Sequence, residues 1–192
     1  MAIDKVTSAS ITTDAVGPTQ LNEASNYAFT GTVTGAGAIT LADQWHVTAN
    51  VTNISANSDT VVTNWTQDGY GEDGKIGTMS ESSGIFTFPS TGIYLVELSL
   101  VFYYSSAASN YCISRIQITT DNSNYNTRAE KSTFTRVAEN NIATASASLI
   151  IDVDNTTNVK VRPVAHVRDA GTDVEGGSVV RSHIKFIRLG DT

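Results

Sequence analysis

The stretch GIFTFPSTGIYLVELSLVFYY, residues 84–104, decides the fold class. Gly84 to Tyr94 reads as a short strand, a Pro-Ser-Thr-Gly turn and the start of a new strand. Pro89 presets its own φ, and Gly92 can take a positive φ that other residues avoid. From Ile93 to Tyr104 runs the longest apolar segment of the chain, and strand periodicity divides it into two faces. Tyr94, Val96, Leu98, Leu100, Phe102 and Tyr104 form one face, apolar throughout. Ile93, Leu95, Glu97, Ser99, Val101 and Tyr103 form the other, too apolar for open solvent and too polar for a monomer core. A face of that kind belongs to a subunit interface, and Leu95, Val101 and Tyr103 are its expected contact residues.

Outward from this segment, alternating stretches recur between turn-forming clusters. Trp45, Val47, Ala49 and Val51 alternate with polar residues and predict a first half-buried strand. Cys112 shares a parity with Ile116 and Ile118, which reads as a small buried hydrophobe. Ala143, Ala145, Ala147, Leu149, Ile151 and Val153 line one face of a later strand, and Val159 and Val161 begin another. The last strand is predicted from about Val179 to Leu189, with Val180, Ile184 and Phe186 inward. Roughly eight strands with no helical period between them make an all-β antiparallel sandwich over residues 43–192.

Residues 1–42 differ in character, being rich in Thr, Ser, Ala and Gly, with bulky apolar residues isolated at Val6, Ile11, Val16 and Leu21. That spacing fits neither a helix nor a strand face. So few anchors cannot offset the entropy of ordering an isolated chain, whereas several copies wound together could turn each anchor toward a shared axis. The alternative is a disordered leader. Gly35 and Gly37 form the joint to the head.

Across its 192 residues the chain is 40% hydrophobic and 16% charged, with a formal net charge of −7. One cysteine excludes an intramolecular disulfide framework. The acidic balance and the scattered Lys and Arg speak against nucleic acid. No apolar run suits a signal peptide or approaches the roughly 20 residues that span a bilayer, so no membrane insertion is expected.

The order of these features resembles the C1q/TNF-like jelly roll. Its pattern of Gly, one residue, Phe, then Pro, Gly, one residue and Tyr is met by Gly84, Phe86, Pro89, Gly92 and Tyr94. Its penultimate strands resemble Ala145 to Val153 with Asp154, followed by Val159 to Val164, and its closing strand is similar to Ser182, Ile184 and Phe186 to Leu189. One departure is Phe186, where the family commonly has Gly. The resemblance implies a jelly-roll head that assembles as a homotrimer, with Phe86 in its core. The leader is similar to segments of bacteriophage tail-fibre and other virion proteins, through Tyr27, Phe29, Thr30, Gly31, Thr32 and Val33. This second resemblance implies that residues 1–42 anchor the head to other virion structural proteins of capsid or tail, through Val6, Ile11, Val16, Leu21, Tyr27 and Phe29.

No catalytic constellation stands out. His46, His166 and His183 lie in no nucleophile-elbow or HExxH context, and no cofactor is expected. Asp68, Glu72 and Asp73 on a Gly-rich stretch are weak Ca²⁺ candidates, with a solvated loop as the better reading. Tyr104 and Tyr111 are candidate contacts for a host-surface glycan. Asp152, Asp154 and Asn155 read as Asx-turn chemistry. Four Asn-x-Ser/Thr sequons, at Asn50, Asn53, Asn64 and Asn155, read as chance in so Thr- and Asn-rich a chain. The expected protein is a non-enzymatic virion-surface protein: a trimeric fibre or decoration head for surface decoration or host attachment. The alternative is a soluble or surface-displayed ligand-binding module of the same fold.

Overall fold

A computed structural model describes residues 39–67, 75–106, 111–135 and 141–192, all within a compact unit, Gly37–Thr192. Among them are twelve strands: β1 (Ala42–Val47), β2 (Ser58–Val61), β3 (Trp65–Gln67), β4 (Ser80–Ser82), β5 (Ile85–Thr87), β6 (Gly92–Tyr104), β7 (Cys112–Thr119), β8 (Asn126–Thr133), β9 (Ile142–Val153), β10 (Lys160–Val167), β11 (Thr172–Val174) and β12 (His183–Gly190). The named strand pairs are antiparallel and form two sheets. In the first, β6 is flanked on one edge by β9 and on the other by β12 and β11 in succession, and β1 and β3 follow β12. The second has the order β4-β5-β10-β7-β8.

The alternation along residues 93–104 survives intact. Tyr94, Val96, Leu98, Leu100 and Phe102 are all buried between the sheets. Phe86 and Phe88 meet them from the facing side, and rings close the sandwich's centre: Phe86–Phe186 at 5.1 Å, Phe88–Tyr94 at 4.6 Å, and Trp45 and Trp65 each edge-on to Phe86. Phe186, bulky where the resemblance led one to expect Gly, is fully buried and fills the space between Phe86 and Phe88. Cys112 is buried in this core beside Ile116 and Ile118.

Two strand expectations are corrected. The first strand starts at Ala42, with Leu41 already buried, and stops at Val47. Beyond it Thr48 N–H donates to Asn64 O and Val51 pairs with Val174, so the chain leaves the sheet and Ala49 is exposed. The closing strand starts at His183, four residues later than expected, and Val179 and Val180 are exposed in the turn before it. There the inward residue is Ser182, whose Oγ accepts from Val101 N–H across the sheet.

The 84–94 turn works as its residues predict. Gly92 has φ +144°, and Tyr94 Oη donates to Ser90 O at 2.9 Å, closing the loop onto its own strand. Just before it, Ser83 and Gly84 take φ of +54° and +81° between paired Ser82 and Ile85, the signature of a two-residue hairpin turn.

A buried carboxylate also organises this region. Asp43 accepts from Trp45 Nε1 (2.9 Å), Gln67 Nε2 (2.7 Å) and Met79 N–H (2.8 Å). It thereby ties β1, β3 and the segment leading to β4 together, which meets the requirement that a buried charge be hydrogen-bonded.

Candidate assembly face and tip

Cross-strand partners share a sheet face, so the registers of β9, β6, β12 and β1 place their outward residues in rows. Ile150, Leu95, Ile187 and Ala42 make an apolar row near one end. Ser148, Glu97, Lys185 and Gln44 follow, and then Ser146, Ser99 and His183, with His46 of the same row buried. Beyond them Thr144 lies beside Val101 and Ile142 beside Tyr103. Ser99 and Ser146 hydrogen-bond through their hydroxyls at 2.9 Å, and their small side chains leave a shallow dent of about 300 Å³ lined also by Glu97, Ser148 and His183. Apolar ends thus bracket a polar middle. Ile150 is 66% exposed and Ile142 59%, high values for isoleucines on a strand.

Of the residues singled out for this face, Leu95 lies in the apolar row and Val101 in the upper part, both half-buried. Tyr103 is held within its own chain: its Oη receives a hydrogen bond from Asn50 Nδ2 at 3.2 Å and donates to Asp173 Oδ2 at 3.4 Å. Burial and the neighbouring Asp173 charge raise the Tyr103 pKa, which keeps the phenol protonated. The two exposed isoleucines were missed by the sequence reading. They stand on the opposite parity of β9 from Ala145, Ala147 and Ile151, on a face otherwise of Thr, Ser and Asp, and that contrast is the signal that could have found them.

The outer face of the second sheet carries an ionic network that sequence reasoning also missed. Asp59 beside β10 accepts from Arg115 (2.5 Å) and Gln117 (2.7 Å) on β7 and lies 2.9 Å from His166 Nδ1 on β10. Arg115 also donates to Glu130 on β8 at 2.8 Å, and Arg162 donates to Gln117 while stacking over Tyr125. Burial lowers the Arg115 pKa, but its bonds to Glu130 and the charge of Asp59 outweigh that and leave it raised. His166 is therefore a partnered surface residue.

Tyr111 is exposed, edge-on to His166, and its carbonyl accepts from Arg168 N–H. Tyr104 is placed by its backbone, paired with Thr172 at the end of β6; its side chain lies outside the described residues. So do the anchoring candidates Val6, Ile11, Val16, Leu21, Tyr27 and Phe29, and the Ca²⁺ candidates Asp68, Glu72 and Asp73. The sequon asparagines do turn work. Asn53 and Asn64 take φ of +59° and +64°, Asn155 Oδ1 accepts from the amides of Thr157 and Asn158, and Asn50 Oδ1 accepts from Gly176 N–H.

The two-sheet head is similar in fold to solved structures. The Eiger TNF of S. frugiperda superposes with a TM-score of 0.59 over 81% of this chain and 96% of its own, at 13% identity. Murine APRIL superposes with TM-scores of 0.52 and 0.53 in crystals at pH 8.5 and 8.0, at 12% and 14% identity, covering 77% and 78% of this chain and 99% and 98% of its own. The fold is the TNF-like jelly roll. No protein-family model matches the sequence, and no curated protein matches it. The likeness lies in the fold of the head.

Proposed function

We propose that this chain is a non-enzymatic bacteriophage virion protein: a homotrimeric TNF-like head, fastened to the particle by residues 1–42, that decorates the surface or meets the host. The observation that carries the reading is the outward face of β9, β6, β12 and β1, with Ile150 and Leu95 at one end and Ile142 and Val101 toward the other. A threefold cyclic assembly buries such a face against neighbouring copies, and exposed isoleucines bracketing small serines supply both apolar area and close approach. Leu95 and Val101 then turn toward neighbouring subunits, with Tyr103 at the rim.

The strand directions support an outward tip. The start of β1 at Ala42, the end of β12 at Gly190 and the start of β6 at Gly92 share one end of the head. Residues 52–55, 105–106 and 170–171 gather at the other. The setting at the virion surface rests on the leader's sequence.

The likeness to Eiger and APRIL favours a second reading, a soluble or displayed ligand-binding module. Deleting residues 1–36, which removes every anchoring candidate and spares buried Leu41 and the start of β1 at Ala42, separates the two. The truncated chain should stay folded and trimeric yet be missing from purified particles by mass spectrometry. Normal incorporation would show that the head itself supplies the docking surface and would remove the leader from the account.

A further inference from the structure

The geometry points to a binding site for a neutral sugar at the tip of the head, in the groove floored by Gly171 and walled by Thr52, Asn53, Ser105, Ser106 and Asp173. The groove has a volume of about 450 Å³, room for one or two hexose rings, and it mixes hydroxyls, an amide and one carboxylate with the apolar side chains of Ile54 and Ala170.

The decisive group is Asp173. It is only 6% exposed, and among the described residues its hydrogen bond comes from the Tyr103 phenol at 3.4 Å, a long and weak one. An ionised carboxylate offers about four acceptor sites. With one long bond from within the chain, most of the acceptor capacity of Asp173 opens on the groove it lines, where a ligand's donors can reach it. Paired hydroxyls on adjacent carbons of a sugar are such donors, one to each oxygen or both to one.

The rest of the groove is already held in shape. Ser105 and Ser106 both donate their backbone N–H to Gly171 O at 2.9 Å, and Ser105 Oγ donates to the same carbonyl at 2.7 Å, leaving its lone pairs to accept from a ligand. Asn53 is fixed at φ +59°, with its amide nitrogen donating to Thr52 Oγ1 at 3.2 Å, so its carbonyl oxygen is the free end. Little ordering therefore remains to oppose binding.

Charge selects among the sugars. The Asp173 carboxylate and the chain's net −7 disfavour sialic acid, uronic acids and sulfated chains. A Ca²⁺ ion would need six to eight oxygens, and no cluster of three or more acidic, His or Cys ligands occurs among the described residues. The hydroxyl-rich neutral ligand fits the donor and acceptor set better. The inference deepens the host-attachment reading, since this groove lies at the end of the head away from the start of β1 at Ala42, but binding to it requires no particle.

The test is saturation-transfer difference NMR of the full-length protein with the methyl glycosides of glucose, galactose, mannose and N-acetylglucosamine at millimolar concentration. A calorimetric titration with CaCl₂ alone runs in parallel. At least one glycoside should receive saturation and be competed by its own free sugar. Asp173→Asn should weaken it ten-fold or more, and Asn53→Gly, which keeps the backbone conformation and removes the amide, should weaken it several-fold. Silence from all four glycosides, unchanged binding in both variants, or binding of Ca²⁺ alone overturns the proposal. Sedimentation of the same samples keeps the questions apart: an intact wild-type trimer that binds none of the glycosides rejects the groove, whereas a wild-type monomer that binds sugar rejects the assembly.

Discussion

Phe86 shows how far a single side chain could be read in advance. Its place in the Gly-Phe/Pro-Gly-Tyr pattern of the resemblance put it inside, and it contacts Trp45, Trp65 and Phe186 with no exposed surface. Phe86→Ala removes the ring on which those three converge and should cost roughly 3–5 kcal/mol in denaturant unfolding; a shift within error would mean that the ring is not central. Asp43 and Asp59 were illegible for a plain reason. Trp45 apart, their partners lie 24 to 107 residues away along the chain, and only the folded sheets bring Met79 to the first and His166 to the second. Asp121 is a local counterpart. Its carboxylate accepts from the Asn124 side chain, the Asn124 and Ser123 amides and Thr119 Oγ1, which holds its pKa well below the usual carboxylate range. A depressed folded-state pKa means that this stabilisation of the β7–β8 turn is complete above the unfolded value of about 3.9 and is lost only as pH falls through the lower folded one. The Asn124 amide resonance should accordingly hold its position at pH 3 and move only in stronger acid; a midpoint near the ordinary value would contradict the turn geometry.

Strand existence was more legible than strand ends. β6, β7 and β9 announce themselves by parity because one face of each turns inward, buried for most of its length. β1 and β12 were misjudged where alternation continues past the last hydrogen-bonded pair: Ala49 and Val180 keep the period yet leave the sheet, since Thr48 and Ser182 take other partners. The β4–β5 hairpin escaped notice because its strands are three residues long and its Ser83-Gly84 turn carries no Asn or Asp. That turn is testable. Gly84 has φ +81°, and an added Cβ would fall 2.5 Å from Val62 O and from Val61 Cγ1. Gly84→Ala should therefore cost more than the roughly 1–2 kcal/mol of a left-handed residue alone, read as a lowered midpoint in urea. An unchanged midpoint would mean that the hairpin is not formed.

At the scale of the whole molecule, the sequence disclosed the sandwich and the mixed face of β6, but not the exposed isoleucines beside it, because a face shared by four strands exists only once their registers are known. The proposed homotrimer rests on that face. Ile150 is the sharpest probe, since its side chain is largely exposed in the single chain and its replacement by Asp should leave the head folded. Sedimentation equilibrium of wild type and Ile150→Asp, each checked by circular dichroism, tests the account most directly. Wild type should sediment at three times the 20.4 kDa chain mass and Ile150→Asp at the chain mass with an unchanged β spectrum. A monomeric wild type, or a variant that stays trimeric, would contradict it.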